Sequence, residues 1–427
     1  MECCQLGLFG WGTVGGGVLE VLSRDGGLIR ARCGLDLRLK AIVTRTPSRV
    51  RPQPAGGAVV GSDPALILDD PAIGTVLLMV GGTTAAYDLC LRAIQAGKHV
   101  VTANKALLAV HGDALFAAAA AKGVGIAFEA AVAGGIPVIA ALRDGLVANR
   151  IEAIYAILNG TCNYILTTME QENLGYAEAL AEAQRLGYAE ADPTLDTDGS
   201  DTAHKLALLA RIAFNAAIPL AKVRVEGIQR IGFLDIRSAH TMGARIKMLA
   251  VARQRPEGLE LRVAPTLVPL DHPLADVHKN YNGIYMVGDA AGPTLLVGQG
   301  AGPLPTASAV LADVVDVCSG RYQVTAKRFT FFQGGTQPTF LSESDEHTGS
   351  YARFVVPDRA GILAGITQAL STHGVSVLSI HQGEPAQGRA MIEIVTHPLR
   401  GGAFLSAIEN IDRQGLTMES TVCLRRL

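Results

Sequence analysis

From Leu186 to Leu209 the chain reads LGYAEADPTLDTDGSDTAHKLALL, which gathers Glu190, Asp192, Asp196, Asp198 and Asp201 just ahead of Lys205. Asp201 and Lys205 are four residues apart, so in a helix they share one face. An exposed pair of that kind adds only about a few tenths of a kcal/mol. The following HKLALLARIAF is apolar enough for a buried helix, where a lysine needs an acidic partner and where surroundings tune its proton affinity. A lysine so placed can donate a proton. His204 falls on a different helix face and reads as structural. Cys162, within NGTCNYIL (Asn159 to Leu166), has no accompanying His motif and does not read as a nucleophile.

A second set of residues lies at the start. GLFGWGTVGGGVLEVL follows a strand-like run and opens a helix, with Gly10, Gly12 and Gly15 in the G-x-G-x-x-G spacing. The first glycine suits a tight turn, the second a close approach to a pyrophosphate, and the third a tight helix-on-strand contact, with phosphate at the helix N-terminus. The expected ligand is a dinucleotide. The second strand, within LRLKAIVTRTPS, is expected to end near Thr44 and Arg45. An NAD site usually carries an acid there, whereas Arg45, helped by Arg49 or Arg51, would pair a 2′-phosphate. That favours NADPH, with NADH as the alternative. In VVTANKALLA, Asn104 and Lys105 fall just past a strand end, where an open parallel sheet presents residues to ligand.

The elements that must position these groups follow from periodicity. Short apolar runs (LGLFG, LRLKAIVTR, TVLLMVGG, HVVTAN, GIAFEAAV) alternate with helical patterns, which predicts βαβ units and a parallel sheet. From about Pro137 the pattern changes to long helices and separate strands such as IEAIYAILN and LELRVAPTLVP, an α+β arrangement. A helix at Ala307 to Gly320 is expected to return to the first domain. Polar QGGTQPTFLSESDEHTGS reads as a linker. The remainder runs strand, helix, strand, turn (PAQGR), strand, helix, strand, a ferredoxin-like βαββαβ order. The expected division is 1–136 with a returning helix at 307–330, then 137–306, a linker at 331–350 and a terminal module at 351–427.

Composition excludes several classes. With 427 residues, 49% of them hydrophobic and 18% charged, the chain is globular rather than disordered. Its 37 basic and 39 acidic residues leave no excess to hold nucleic acid. The seven cysteines form no C-x-x-C pair or Cys/His cluster, which suits a reducing compartment. The N-terminus lacks a basic leader, and the apolar stretch Gly125–Leu142 is broken by Glu129, paired glycines and Pro137. The expectation is a cytoplasmic protein that engages no membrane.

Taken in order, GLFGWGTVGGGV, ANKALLA, EAAVAGGIP, NGTCNYIL, GYAEADPTLDTDGSDTAHKLALLA and VGQGAGPLPTASAVLAD resemble the homoserine dehydrogenase family, in its monofunctional, regulated type. The resemblance covers essentially the whole chain. It implies an α/β protein with an N-terminal Rossmann domain, an α+β catalytic and dimerisation domain, and a C-terminal ferredoxin-like ACT domain. It implies reduction of L-aspartate 4-semialdehyde to L-homoserine with NADPH or NADH, in threonine, methionine and isoleucine biosynthesis. By the same resemblance Lys205 would donate the proton, with Lys105 and Asp201 near the reacting oxygen. Glu190 and Asp196 would hold the substrate ammonium, and Gly160 and Thr161 would also touch substrate. Gly10, Gly12, Thr13, Val14, Gly15, Arg45, Lys105, Gly187, Gly300 and Gly302 would contact the cofactor. A monovalent cation, usually sodium, would sit on backbone oxygens of Glu129, Val132, Gly134 and Ile136.

In the terminal module Asp358, Gly361, Ile362 and Leu363 resemble the D-x-x-G-[IV]-L start of an ACT domain. Such modules pair side by side and bind an amino acid, which implies L-threonine as effector and a homodimer or homotetramer. The alternatives are a module that serves oligomerisation alone, a non-catalytic amino-acid sensor that keeps the dinucleotide fold, and a dehydrogenase of another small amino-acid aldehyde. A sensor has no use for a proton donor.

Overall fold

The computed structural model describes residues 2–326, 337–383 and 388–427. The end of the expected returning helix, the start of the linker and most of the PAQGR turn lie outside the described residues. The chain divides into two compact units. One comprises Met1–Glu152, His204–Ala221 and Tyr281–Pro338, the other Ala153–Ala203, Lys222–Asn280 and Thr339–Leu427.

The first unit is built on a parallel sheet of β1 (Glu2–Phe9), β2 (Leu35–Val43), β3 (Val59–Gly61), β4 (Ile73–Leu78), β5 (His99–Thr102) and β6 (Ile126–Ala127). The strand order is β3-β2-β1-β4-β5-β6, so the chain reverses direction across the sheet between β1 and β4. That is the doubly wound dinucleotide-binding topology, whose ligand crevice opens at the carboxyl ends of the strands flanking the reversal. Helices α1 (Thr13–Cys33), α2 (Ala65–Leu68), α3 (Thr84–Gln95) and α4 (Lys105–Lys122) make the crossovers. Leu6, Leu8, Ile42, Leu77 and Val101 are wholly buried beneath them, as expected for strands covered on both faces. The same core takes in Ala307, Val310, Leu311, Val314 and Val317 of α11 (Pro303–Cys318), which is followed by α12 (Arg321–Ala326). A hairpin of β11 (Tyr281–Gly288) and β12 (Gly292–Gln299), and α9 (Ser200–Phe214) from His204 onward, also belong to this unit.

One expected strand is cut short. GIAFEAAV pairs with β5 only over Ile126–Ala127, after which Glu129–Ala131 form a 3-10 turn leading to α5 (Val138–Ala140). The Glu129 N–H is given to the Asp313 side chain instead of a neighbouring strand, so the ladder ends there.

In the second unit β7 (Ile151–Ile157) pairs with β9 (Ala244–Arg255), and β9 with β10 (Gly258–Pro269), both antiparallel, while short β8 (Arg224–Val225) flanks β10. Helices α6 (Gly160–Glu172), α7 (Tyr176–Arg185), α8 (Thr194–Thr197) and α10 (Phe233–Thr241) complete this part. The terminal module contributes β14 (Ser350–Pro357), α13 (Ile362–Thr372), β15 (Val377–Gln382), β16 (Arg389–Thr396), α14 (Gly401–Arg413) and β18 (Val422–Arg426). Its strand order is β18-β14-β16-β15 with antiparallel neighbours, the ferredoxin-like arrangement. A small ladder joins β13 (His347–Thr348) to β17 (Leu399–Arg400).

The module is not a pendant body. β18 pairs in parallel with β10 through Thr266–Arg425 and Leu267–Arg426, so one sheet runs from β7 through to β15. The residues ahead of it are ordered on the same unit: Phe340 bridges to Leu259, and Glu343–Asp345 form a 3-10 turn. Ion pairs reinforce the join. Arg224 meets Glu346 at 2.7 Å, and fully buried Arg262 lies within 3.9 Å of the same carboxylate. Beneath the module, Arg353 grips the Asp235 carboxylate of α10 at 2.6 Å.

Candidate active site

In the first unit, β1 ends at Phe9 and the chain turns at Gly10, whose φ is +94°. A Cβ at Gly10 would lie 2.4 Å from the Met79 carbonyl, and one at Gly15 would lie 2.2 Å from the Gly10 carbonyl, so neither position tolerates a side chain. Gly12 is the N-cap of α1 without a side-chain cap, and no acidic residue occupies the first turn, which Thr13 and Val14 begin. Open space surrounds the Gly12 Cβ position. An uncapped helix start with room before it and no competing acid suits a pyrophosphate. α4 differs, because Asn104 caps it by accepting the Leu107 N–H at 2.9 Å. The Asn104 amide also donates to the Val80 and Gly82 carbonyls, fixing the loop after β4. Lys105, the first residue of α4, is carried on that braced turn.

β2 ends at Val43, and Arg45 is exposed in the loop beyond it. Arg51 is already engaged. Its guanidinium donates to the Trp11 carbonyl at 3.0 Å and to Thr44 Oγ1 at 3.1 Å, and lies 4.7 Å above the Trp11 ring. It ties the glycine turn to the loop that carries Arg45.

Glu129 is buried, and its carboxylate accepts the Ile139 and Ala140 N–H groups, each at 2.8 Å. Burial pushes that carboxyl up to about 7, while the two donors and Arg143 pull the other way. The side chain therefore faces the start of α5. The loop between is buried at Val132, Ala133, Gly134 and Ile136, and φ is positive at Ala133 and Gly134. Among the described residues no N–H donates to the carbonyls of Val132 or Gly134. Buried carbonyls without donors suit a hard cation. No cluster of three or more His, Cys, Asp or Glu among the described residues could hold a metal through side chains. The Gly134 loop rests on Gly300, and Gly302 is the N-cap of α11 with φ +120°.

In the second unit the carboxylates are organised by a residue absent from the sequence expectations for site roles. Asn159, the N-cap of α6, accepts the Cys162 N–H at 2.8 Å through Oδ1 and donates from Nδ2 to Asp196 at 2.8 Å and Asp201 at 3.1 Å. Gly160 begins the helix, with the Asn280 carbonyl 2.8 Å from its Cβ position. Thr161 Oγ1 donates to the Tyr188 carbonyl at 2.7 Å, which holds the turn at Gly187 against the same helix start. Cys162 is buried and its Sγ donates to the Asp196 carbonyl, a structural contact. Asp201 and Lys205 both lie on α9, one turn apart, and Lys205 is buried. Glu190 is exposed, and its backbone carbonyl takes the Gln184 amide. The resemblance places both acids on the ammonium; of the two, Asp196 shares the Asn159 amide with Asp201.

α6 is anchored from below by Lys247 of β9, which donates to the Val277 carbonyl at 2.6 Å and to Asn163 Oδ1 at 3.3 Å. Burial holds this ammonium down to about 8. No helix among the described residues is long and apolar enough to cross a membrane.

Residues 137–315 match the family model for homoserine dehydrogenase, residues 10–129 that for its NAD binding domain, and residues 350–413 that for the ACT domain. Homoserine dehydrogenase of Pseudomonas aeruginosa is 43% identical over 408 residues, which cover 93% of this chain and 92% of the relative. That of Neisseria gonorrhoeae is 40% identical over 417 residues, covering 96% of each. A crystal structure of a homoserine dehydrogenase from Thiobacillus denitrificans is similar throughout, with a TM-score of 0.93, 41% identity and coverage of 100% of this chain and 98% of that one. A hyperthermophilic archaeal homoserine dehydrogenase mutant in complex with NADPH matches 74% of this chain and 98% of its own length, with a TM-score of 0.63 and 25% identity. An uncapped glycine turn at a helix start, carboxylates gathered at another and these matches agree: the chain belongs to the homoserine dehydrogenase family of NAD(P)-dependent oxidoreductases and carries a C-terminal ACT domain.

Proposed function

We propose that the protein catalyses reversible reduction of L-aspartate 4-semialdehyde to L-homoserine with preference for NADPH over NADH, and that L-threonine inhibits it through the ACT domain. In this reading it serves threonine, methionine and isoleucine biosynthesis in the cytoplasm as a homodimer or homotetramer. The observation that carries the reading is Asn159, which caps α6 and holds Asp196 and Asp201 with one carboxamide. A zwitterionic amino acid needs carboxylates for its ammonium and donors for its carboxylate. Asp196 and Glu190 are assigned the ammonium. The first-turn N–H groups at Gly160 and Thr161, which have no partner within the helix, are assigned the carboxylate.

The nicotinamide supplies the hydride when bound. Gly10, Gly12, Thr13, Val14 and Gly15 are assigned its pyrophosphate, Arg45 the 2′-phosphate, and Gly187, Gly300 and Gly302 further backbone contacts. As the aldehyde oxygen gains charge, it requires a proton and nearby positive charge. Lys205 is assigned the proton, with Asp201 one turn ahead of it in α9 as its acidic neighbour, the favourable order along a helix. Lys105 is assigned the polarisation of the carbonyl. A monovalent cation, sodium by preference, is assigned to the carbonyls of Glu129, Val132, Gly134 and Ile136, which suits the donor-free Val132 and Gly134 oxygens.

Initial rates of homoserine oxidation with NADP and with NAD, each with and without threonine, test the reading. It predicts a higher kcat/KM with NADP and inhibition by threonine. Equal use of both cofactors removes the Arg45 assignment, and indifference to threonine removes the effector.

A further inference from the structure

Asp313 sits in the middle of α11, almost wholly buried at 4% exposure, and its Oδ2 accepts the Glu129 backbone N–H at 2.8 Å. Glu129 passes the restraint along, because its own carboxylate accepts the Ile139 and Ala140 N–H groups at 2.8 Å. The intervening loop is thereby held at its first residue by α11 and about ten residues later by its own first side chain. Within it the Ile136 N–H donates to the Ala133 carbonyl at 3.0 Å, and the Gly135 N–H to the Gln299 carbonyl at 3.1 Å. One turn beyond Asp313, Asp316 meets Arg143 at 3.3 Å and also pairs with Arg321, which fixes the turn after α5 to the same helix.

We propose that Asp313 is a positioning residue for the carbonyl cage of residues 129–136, setting the direction of its oxygens toward a monovalent cation without touching cation, substrate or cofactor. The proposal rests on the cation assignment made above. What Asp313 supplies is an oxygen acceptor at a set reach. Without it the Glu129 N–H is buried and unpaired, and the 3-10 turn that aims the first carbonyl is held only by its own bonds, Ala131 N–H to the Phe128 carbonyl at 2.9 Å and Val132 N–H to the Glu129 carbonyl at 3.3 Å. Outer groups that orient ligands typically control about 10- to 100-fold in metal affinity.

The test compares wild type with Asp313→Asn, Asp313→Ser and Asp313→Glu. Asparagine keeps an oxygen at the same reach, serine falls short by one bond, and glutamate retains the carboxyl group but displaces the acceptor. Each protein is melted in a choline buffer into which sodium or potassium chloride is titrated, and the cation concentration giving half the rise in Tm is read. Wild type and Asp313→Asn should agree closely, whereas Asp313→Ser and Asp313→Glu should need about 10-fold more cation or more. If serine does not fold, glutamate decides. A lowered cation-free Tm with an unchanged half-point makes Asp313 merely structural and overturns the proposal. Asparagine behaving like serine overturns the acceptor argument. A wild type indifferent to both cations rejects the cation assignment itself, and the proposal with it.

Discussion

Asn159 and Asp196 are joined by a 2.8 Å hydrogen bond from a carboxamide that also caps α6. The direction of the carboxylate and the start of the helix are therefore set by one side chain. Replacing Asn159 with Ala should cost about 1 kcal/mol of stability through the lost cap. It should also raise KM for homoserine by about 10-fold, since losing a hydrogen bond to a charged group is worth about 1.5 to 3 kcal/mol. Cofactor affinity should hold. Steady-state kinetics with cofactor titration checks this, and an unchanged KM would detach Asn159 from substrate.

Arg45 is exposed, while neighbouring Arg51 is occupied with Trp11 and Thr44. Arg45→Asp should move the NADP-to-NAD ratio of kcat/KM toward NAD by about 10-fold or more, the scale of one charge-assisted bond. Arg51→Ala should weaken both cofactors by loosening the loop. If the ratio responds to Arg51 and ignores Arg45, the 2′-phosphate assignment belongs to Arg51.

Lys247 makes stability depend on pH with a definite sign. Its folded pKa is depressed to about 8 from 10.5. Below about 8 both folded and unfolded chains are protonated, and the cost of burying the charge is fully present. Between about 8 and 10.5 the unfolded chain keeps the proton that the folded chain releases, so stability gains with rising pH. The gain totals about 3 kcal/mol. Denaturation of wild type and Lys247→Met across this window should show their difference changing by that amount in favour of wild type. A constant difference would mean that Lys247 does not titrate there.

Arg353 pairs with Asp235, whose side chain is wholly buried. Arg353→Met should destabilise the protein by about 3 to 5 kcal/mol, because it strands a buried carboxylate. Cutting the chain after Ser350 removes this arginine and also strips β18 from β10. The truncated protein should therefore melt lower or aggregate rather than form an active, threonine-insensitive enzyme. Thermal denaturation decides, and a truncated chain as stable as the intact one would contradict the shared-sheet account.

What was legible in the sequence is what local pattern encodes. The glycine turn, the alternation of β1, β2, β4 and β5 with helical segments and the βαββαβ order each rest on periodicities of a few residues. What was not legible joins distant segments. Asp313 meets Glu129 across 184 residues, so nothing near GIAFEAAV signalled that its strand would end after Ala127. The pairing of β18 with β10 is equally remote, which is why the polar stretch before the module read as a plain linker. NGTCNYIL stood out, but the two carboxylates its first residue holds lie 37 and 42 residues further on, beyond any local pattern.

The most direct measurement is homoserine-dependent NADP reduction by purified wild type and Lys205→Ala, with cofactor affinity determined separately by titration. The account predicts turnover by wild type, a fall in kcat of at least about 100-fold in the variant, and cofactor affinity unaltered. Near-normal kcat in Lys205→Ala, or no homoserine-dependent reduction by wild type, would contradict it.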